Sequence, residues 1–174
     1  MKIAICQINP IVGDFDYNHN LLLKYYKNSI GLNADIIVYP ELVISGYPPQ
    51  DLLWEDGFVD QNLLILNEIA SVSSTPLIFG FVRKENGRLF NSAAVCFDGK
   101  LQSTTDKILL PTYDVFDEER YFTSGDEPKV VPIPVKGKQV NLGVQICEDL
   151  WDHHYDCKVS QIQKDQGADI LINI

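Results

Sequence analysis

The sequence is poor in basic residues and has no long apolar run. Lysine and arginine number 14 against 24 aspartate and glutamate residues, so the net charge is -10. Nucleic-acid-binding proteins carry clustered lysine and arginine, and this chain has no such cluster. No stretch reaches the ~18 apolar residues that a membrane span needs. We therefore expect neither a nucleic-acid nor a membrane partner.

Paired cysteines and a secretion signal are also lacking. Cys6, Cys96, Cys147 and Cys157 lie far apart, without a Cys-x-x-Cys spacing. The amino terminus runs directly into a strand-like pattern, with no long apolar region or cleavage site. In such a chain, isolated cysteines indicate reduced thiols rather than disulfides. The expected compartment is therefore the cytoplasm.

The 174 residues predict one α/β domain. A chain of this length buries about 70% of its unfolded surface, which is enough for a core. Strand and helix patterns alternate, and a strand-helix-strand unit implies parallel strands. The predicted strands are 2–9, 35–39, 76–82, 89–97, 100–106, 130–135, 139–146 and 169–174, and the predicted helices are 16–30, 61–72 and 159–166. The last strand is apolar and is expected to be interior.

Three chemically active side chains each follow the end of a predicted strand. Glu41, Lys107 and Cys147 stand at these positions, and α/β sheets bind their ligands at the carboxyl ends of strands. If the three strands are neighbours, a carboxylate, an ammonium and a thiol meet. The carboxylate can take the thiol proton, while the ammonium favours the thiolate and stabilises an oxyanion. Taken singly, each residue also fits a structural role, as a solvated charge or a buried inert thiol.

Two aromatic-rich segments interrupt the regular pattern. Residues 107–126 mix aromatic and charged side chains in a loop of a length that is usually functional. Residues 54–58 are compatible with core packing, an oligomer contact or a channel wall.

Around the three strand ends, the sequence resembles the nitrilase (carbon-nitrogen hydrolase) superfamily. The matching motifs are Ile-Ile-Val-Tyr-Pro-Glu41, Asp-Lys107 and Gln-Ile-Cys147-Glu-Asp, in the superfamily's order. Longer matches around each motif look most like the glutamine amidase domains of glutamine-dependent NAD synthetases, and the similarity covers residues 2–174. The resemblance implies a nitrilase-like four-layer αββα sandwich.

The resemblance also implies roles for the site residues. Cys147 would attack the side-chain amide of L-glutamine, Glu41 would act as general base and acid, and Lys107 would hold the oxyanion with the backbone N–H of Glu148. Glu118 matches the superfamily's second glutamate, which orients the lysine and the substrate, and its neighbour Glu119 is the weaker candidate. Tyr113 and Phe116 fall where the family draws aromatic groups for its glutamine pocket.

Family members continue beyond the position of Ile174, and the synthetases add an ATP-dependent domain that consumes the ammonia. We therefore expect residues 1–174 to be an amidase domain lacking the last part of its fold, with the synthetase domain as its partner and no activity on its own. No cofactor or metal is expected in this domain, whereas ATP and Mg belong to the synthetase domain. A homo-oligomer is also expected.

Three alternatives remain open from the sequence. The same three residues would serve a carbon-nitrogen hydrolase acting on another amide or nitrile. Cys147, His153, His154 and Cys157 could hold zinc, although adjacent histidines are expected to point apart. A non-catalytic assembly domain is the third alternative.

Overall fold

A computed structural model describes all residues, 1–174, as eight strands and three α-helices. The strands are β1 (Ile3–Ile5), β2 (Ile36–Val38), β3 (Leu77–Glu85), β4 (Arg88–Phe97), β5 (Lys100–Asp106), β6 (Val130–Val135), β7 (Lys138–Gln145) and β8 (Ile170–Asn173). The α-helices are α1 (Phe15–Gly31), α2 (Phe58–Val72) and α3 (Val159–Asp165), and 3-10 helices cover Gln50–Trp54, Glu118–Arg120 and Cys147–His154. None of the helices combines the length and apolarity needed to cross a membrane.

The strands form two sheets. The first has the order β1-β2-β3-β4-β5, in which β1, β2 and β3 run parallel and β4 and β5 continue as antiparallel hairpins. The second has the order β6-β7-β8, with β6 antiparallel and β8 parallel to β7. Parallel pairing of β1 and β2 across α1 confirms the predicted strand-helix-strand unit.

The alternation of side chains along the first sheet separates two cores. Ile37, Leu77 and Phe79 point to one face, where they pack against the buried faces of α1 and α2. Ile36 and Ile78 point to the other face, where they pack against apolar residues of the second sheet. Successive strand residues face opposite sides of a sheet, so each of the strands β1 to β4 contributes to both cores.

Helix α3 covers the outer side of the second sheet. The side-chain amide of Gln163 donates to the backbone oxygen of Val144 at 2.9 Å and its oxygen accepts from Gln145 at 3.0 Å. The layers therefore run helix, sheet, sheet, helix, which confirms the predicted αββα architecture.

The two hairpins of the first sheet follow from local backbone preference. Asn86-Gly87 and Asp98-Gly99 join β3 to β4 and β4 to β5, and all four residues have positive φ angles. Two-residue hairpin turns with positive φ favour asparagine or aspartate followed by glycine. The turns therefore set the register of the three strands that lead to Lys107.

The inward face of helix α2 agrees only in part with the sequence pattern, which gave Leu63, Leu64, Leu66, Asn67 and Ile69: Leu66 and Ile69 are buried and Leu63 is partly buried. The helix begins at Phe58 rather than at residue 61, and Leu64 and Asn67 are exposed. Asn62 is fully buried instead, because its amide donates to the backbone oxygen of Val82 at 2.7 Å and its oxygen accepts from the N–H of the same residue at 3.2 Å. Because its side chain is hydrogen-bonded to the backbone, the polar Asn62 occupies a core position that the apolar pattern did not predict.

Strands β1 and β8 also differ from their predictions. β1 ends at Ile5 rather than at residue 9. β8 is an edge strand of the second sheet rather than an interior one, since Ile172 is its only buried residue and Leu171 is 42% exposed. An edge strand has a neighbouring strand on one side only, so its side chains have fewer contacts and stay more exposed.

Candidate active site

Glu41 lies three residues beyond the end of β2, at the carboxyl edge of the first sheet. The backbone oxygen of Pro40 accepts from the N–H of Gly80 on β3 at 3.1 Å, so the segment leaving β2 stays fastened to its neighbour. The Glu41 side chain is 13% exposed. The carboxylate is thus held on a rigid strand end with limited contact to solvent.

Lys107 follows β5 directly and is completely buried. Its Nζ donates to Glu41 Oε1 at 2.8 Å and to Glu118 Oε1 at 2.8 Å. Its backbone N–H donates to the oxygen of Asn91 on β4 at 2.8 Å. Two carboxylates around one buried ammonium satisfy the rule that buried charges are paired.

Cys147 stands at a sharp turn where β7 gives way to a 3-10 helix. Its φ angle is +46°, in the left-handed region that non-glycine residues avoid. Such a conformation persists only where surrounding structure imposes it, and the N–H of Cys147 is tied to the backbone oxygen of Ile174 at 2.7 Å. The turn holds the thiol, which is only partly buried, away from the strand and towards a cavity.

Glu41 and Cys147 line one cavity of about 440 Å³, together with Tyr47, Trp151 and Asn173. Lys107 stands close enough to influence the ionisation of the Cys147 thiol. The structure therefore brings together the three strand ends that the sequence singled out. The second sheet supplies the thiol and the first sheet supplies the acid and the amine, so the site depends on the packing of the two sheets.

The resting thiol is protonated at neutral pH. Burial and the Glu41 carboxylate raise the pKa of Cys147 to about 11, and the Lys107 ammonium opposes them without reversing the shift. Lys107 therefore acts in the expected direction, towards the thiolate, but burial and Glu41 outweigh it. A base is needed to remove the thiol proton.

Burial acts on Glu41 and Lys107 as well. Burial raises the pKa of Glu41, with a further contribution from Glu118, and Lys107 counteracts it. Burial lowers the pKa of Lys107, but Glu41 and Glu118 outweigh it, and the net pKa lies above the ordinary value. The lysine therefore stays charged, and Glu41 becomes a stronger base than an exposed glutamate.

Glu118, and not Glu119, is the buried second glutamate. Glu118 is 4% exposed, and Glu119 faces solvent. Besides Lys107, the Tyr47 hydroxyl donates to Glu118 Oε1 at 2.9 Å. Glu118 and Glu41 therefore share the Lys107 ammonium.

Glu148 forms a second buried acidic group next to the thiol. It is 5% exposed and accepts from the hydroxyls of Tyr113 and Tyr155, each at 2.8 Å. No lysine, arginine or histidine pairs with its carboxylate within the chain, in contrast to Glu41 and Glu118. The carboxylate has donors but no counter-charge.

Phe116 does not line the cavity of Cys147. Its ring packs edge-on against that of Tyr113, with 5.6 Å between centroids. It lines a neighbouring cavity of about 470 Å³, which shares Tyr47 with the cavity of Cys147. Their roles as substrate contacts stay predictions.

Asp149 connects the turn at the thiol with the loop after Lys107. One carboxylate oxygen accepts from the N–H groups of Ile108 and Leu109 at 3.0 and 2.9 Å, and the other accepts from Ile146 at 3.0 Å. Burial raises its pKa to about 6, although all three N–H groups act in the opposite direction. The carboxylate links the two segments that carry the amine and the thiol.

Sequence reasoning missed Tyr47, Asn91, Asp149 and Tyr155. Tyr47, Asn91 and Asp149 each reach the site through a side-chain hydrogen bond to a residue distant in the sequence. Tyr155 also reaches it through a side-chain hydrogen bond, but its partner Glu148 is nearby in the sequence. An asparagine inside the predicted strand 89–97 and a carboxylate two residues after the cysteine are visible in the sequence, but neither pattern specifies the partner of the residue.

The structure does not support the zinc hypothesis. No three histidine, cysteine, aspartate or glutamate side chains converge as metal ligands. His153 and His154 do not point apart as expected, since their ring centroids lie 3.9 Å apart with the ring planes tilted by 48°.

The comparison with known families agrees with this arrangement. A family model described as carbon-nitrogen hydrolase matches residues 2–174. The chain belongs to the carbon-nitrogen hydrolase family. Membership of this hydrolase family rests on a match that includes all three strand ends.

Curated relatives of this carbon-nitrogen hydrolase chain are longer proteins. The glutamine-dependent NAD(+) synthetase of Acinetobacter baylyi is 37% identical over 172 residues, which are 98% of this chain and 30% of that protein. The glutamine-dependent NAD(+) synthetase of Aquifex aeolicus is 33% identical over 177 residues, covering 100% of this chain and 30% of that protein. The chain thus spans 30% of the length of these relatives.

Solved structures confirm the carbon-nitrogen hydrolase fold. A glutamine-dependent NAD+ synthetase from Acinetobacter baumannii superposes with a TM-score of 0.87 at 32% identity, over 99% of this chain and 31% of that one. An amidase from Nesterenkonia sp. superposes with a TM-score of 0.82 at 20% identity, over 99% of this chain and 64% of that one. At the lower identity the likeness concerns the fold alone.

Proposed function

We propose that this carbon-nitrogen hydrolase chain releases ammonia from the side-chain amide of L-glutamine through a cysteine thioester. The observation that carries the proposal is the buried Lys107 ammonium, held between Glu41 and Glu118 beside the cavity that Cys147 lines. A thiol, a base of raised pKa and a fixed positive charge are the groups that acyl transfer needs.

In the first step, Glu41 takes the Cys147 proton as the sulfur attacks the amide carbon. A carbon-sulfur bond forms and the carbonyl electrons move to the oxygen, where Lys107 and the N–H of Glu148 stabilise the oxyanion. Glu41 then returns the proton to the amide nitrogen, the carbon-nitrogen bond breaks, and ammonia leaves. The elevated pKa of Glu41 suits both accepting and returning the proton.

In the second step, water hydrolyses the thioester. Glu41 takes a proton from the water, whose oxygen attacks the thioester carbon. The carbon-sulfur bond then breaks, glutamate is released, and Cys147 regains its proton. The same base therefore serves both halves of the reaction, and the thiol is restored.

Glu148 supports glutamine over a simple amide. Its buried carboxylate lacks a counter-charge in the chain and is oriented by Tyr113 and Tyr155. The α-ammonium of an amino acid would provide that counter-charge. The names of the curated relatives, glutamine-dependent NAD(+) synthetases, point to the same substrate.

We further propose that residues 1–174 form the amidase domain of a cytoplasmic, homo-oligomeric protein that uses the ammonia in ATP-dependent NAD synthesis. ATP and Mg would bind to the synthetase domain of such a protein, and no cofactor is proposed for this chain. The assignment is supported by the finding that the chain matches 30% of the length of two glutamine-dependent NAD(+) synthetases. To test this assignment, the glutaminase activity of residues 1–174 is compared with that of a protein that also contains the synthetase domain. We expect residues 1–174 alone to be inactive, and full activity would contradict their dependence on the rest of the protein.

An ammonia-release assay with glutamine, asparagine and small amides shows which of these amides is hydrolysed. We expect glutamine to be preferred, and Cys147→Ala to reduce turnover at least about 10³-fold because the nucleophile is lost. Cys157→Ala is the matched control and should retain activity. Preference for a small amide or a nitrile would favour another carbon-nitrogen hydrolase activity. Unchanged turnover in Cys147→Ala would contradict the thioester mechanism, and no ammonia release from any substrate would favour the non-catalytic assembly role.

Glu148→Gln tests the proposed ammonium contact. The KM for glutamine should rise while hydrolysis of a small amide without an α-ammonium changes little. An equal loss for both substrates would contradict a specific role in amino-acid recognition.

A further inference from the structure

Asn91 contacts both carboxylates that surround the Lys107 ammonium and also the backbone of Lys107. It lies on β4 and is 1% exposed. Its Nδ2 donates to Glu41 Oε1 at 2.6 Å and, more weakly, to Glu118 Oε2 at 3.4 Å. Its backbone oxygen accepts from the N–H of Lys107 at 2.8 Å.

The sheet register brings Asn91 to this position. Asn91 pairs with Val82 on β3, and the bond from Lys107 to its oxygen extends the β4–β5 ladder beyond the pair formed by Ser92 and Asp106. Since β4 is an interior strand of the first sheet, its backbone is constrained on both sides. The Asn91 side chain is therefore supported by a rigid element.

The amide orientation of Asn91 is dictated by the two carboxylates. Its Oδ1 is buried and has no hydrogen-bond donor. Rotation of the amide by half a turn would place Oδ1 against Glu41 and Glu118, and two acceptors repel one another. A buried oxygen without a hydrogen-bond donor is unfavourable. The hydrogen bond from Nδ2 to Glu41 must therefore outweigh the cost of leaving Oδ1 unpaired.

Both donors to Glu41 bind the same oxygen. Asn91 Nδ2 and Lys107 Nζ converge on Oε1, while Oε2 accepts no hydrogen bond. The carboxylate thus has one oxygen anchored and one oxygen available, at the wall of the cavity that Cys147 lines. A general base needs such a free lone pair in a fixed position.

We propose that Asn91 is a positioning residue for amide hydrolysis, which anchors Oε1 of Glu41 so that Oε2 is presented to the Cys147 thiol. This inference rests on the proposed function. The side chain does not line the cavity of Cys147, so it acts through Glu41 rather than on the substrate.

The same contact favours the ionised form of Glu41. Burial raises the pKa of Glu41, whereas the donors Lys107 and Asn91 lower it. The other titratable groups that act on this site are Glu118, Cys147 and Tyr47. Removal of the Asn91 donor leaves those groups in place, so the pKa of Glu41 should rise.

Asn91→Leu tests the inference, because leucine fills a similar volume without a donor. We expect kcat for glutamine hydrolysis to fall about 10- to 100-fold through misplacement of the base, with KM unchanged. The acidic limb of the kcat/KM profile should move upward by about one pH unit. Asn91→Ser, which is too short to reach Glu41, should give the same shift if the leucine variant fails to fold.

Asn62→Leu is the matched control. Asn62 is another fully buried asparagine, and its amide bonds the backbone of Val82, the residue paired with Asn91. This variant should lose stability while keeping the wild-type pH profile. A folded Asn91 variant with an unshifted pH profile, or with the shift also present in Asn62→Leu, would overturn the positioning role.

An infrared titration separates this inference from the proposed function. The carbonyl band of protonated Glu41, assigned with Glu41→Gln, should appear at higher pH in Asn91→Leu than in the wild type. If the wild type releases no ammonia from any amide, the proposed function fails, and the band still reports on the link between Asn91 and Glu41. An unshifted band overturns that link whatever the activity.

Discussion

Gly80 on β3 lies in direct contact with the backbone of Glu41. A Cβ at Gly80 would come 2.7 Å from the Cα and 2.6 Å from the carbonyl carbon of Glu41, and closer still to the N–H of Leu42. The φ angle of Gly80 is not positive, so the absence of a side chain is required by space rather than by backbone conformation. The strand beside β2 thus leaves room for the segment that carries Glu41.

Gly80→Ala should therefore displace Glu41. Backbone atoms cannot move aside as a flexible side chain can, so we expect a loss of about 1–3 kcal/mol in the free energy of unfolding. Amide hydrolysis should fall more than stability alone explains, because Glu41 would leave the reach of Lys107. Urea denaturation and ammonia release measure the two effects.

Gly31→Ala is the control for that variant. Gly31 ends α1, and a Cβ there would meet nothing within 4 Å. Since alanine is the better helix former, stability should stay equal or increase and activity should not change. Equal losses in the two variants would show that the contact between Gly80 and Glu41 has no special role.

Lys107→Met should strongly destabilise the protein. It leaves Glu41 and Glu118 buried without their counter-charge, and breaking a buried pair in this way typically costs about 3–5 kcal/mol. Lys136→Met removes an ion pair between a lysine that is 68% exposed and Asp35, and because solvent screens the lysine the loss should be about 1 kcal/mol or less. Denaturant titrations at neutral pH compare them. A loss for Lys107→Met no larger than that for Lys136→Met would mean that one carboxylate takes up a proton at little cost.

Glu41→Gln should make Cys147 more acidic. The Glu41 charge is one of the groups that raise the pKa of the thiol to about 11, after burial. Without that charge the pKa should fall, and each unit of decrease raises the thiolate fraction at pH 9 about tenfold. The rate of alkylation of Cys147 by iodoacetamide, followed by peptide mass spectrometry, measures this change.

Cys157 is the internal reference for the alkylation experiment. Burial raises the pKa of its thiol, and the nearby charges that act on it are those of Asp149, Asp152 and Lys158 rather than Glu41. Its alkylation rate should therefore be the same with and without Glu41→Gln. Slower alkylation of Cys147 in the variant would contradict the electrostatic relationship.

Asp149→Asn should change how stability depends on pH. Because burial raises the pKa of Asp149 to about 6, the folded protein holds a proton that the unfolded chain releases near pH 4. The contribution of this group to stability is present below pH 4 and is lost as the pH rises to about 6. Relative to the variant, the wild type should lose up to about 3 kcal/mol between pH 4 and 7.

Denaturant titrations of the two proteins across that range measure the difference. If the wild type instead gains stability relative to the variant as the pH rises, the N–H groups of Ile108, Leu109 and Ile146 outweigh burial. Asp149 would then be a conventional ionised carboxylate.

Local sequence signals predicted the strand ends well. The positions of Glu41 and Cys147 follow from where apolar runs stop. The turns at Asn86-Gly87 and Asp98-Gly99 follow from positive φ angles, and the strand after the second turn leads to Lys107. These features depend on neighbouring residues and are therefore readable along the chain.

Partners distant in the sequence were not predictable in the same way. Asn91 reaches Glu41 across 50 positions and Asp149 reaches Ile108 across 41. Nothing in the local pattern around either residue specifies such a contact. The buried Asn62 was missed for a related reason, since an apolar-face count cannot anticipate a polar side chain that bonds another strand.

The sequence by itself determined the α/β alternation, the hairpins and the types of residue at the strand ends, because these follow from short-range backbone preferences and hydrophobic periodicity. Only the tertiary structure decided that a thiol from the second sheet faces an acid and an amine from the first. It also decided that Asn91 and Lys107 share one oxygen of Glu41, and that the thiol rests in its protonated form. Those properties depend on distances and desolvation between chain segments that meet only when the two sheets pack.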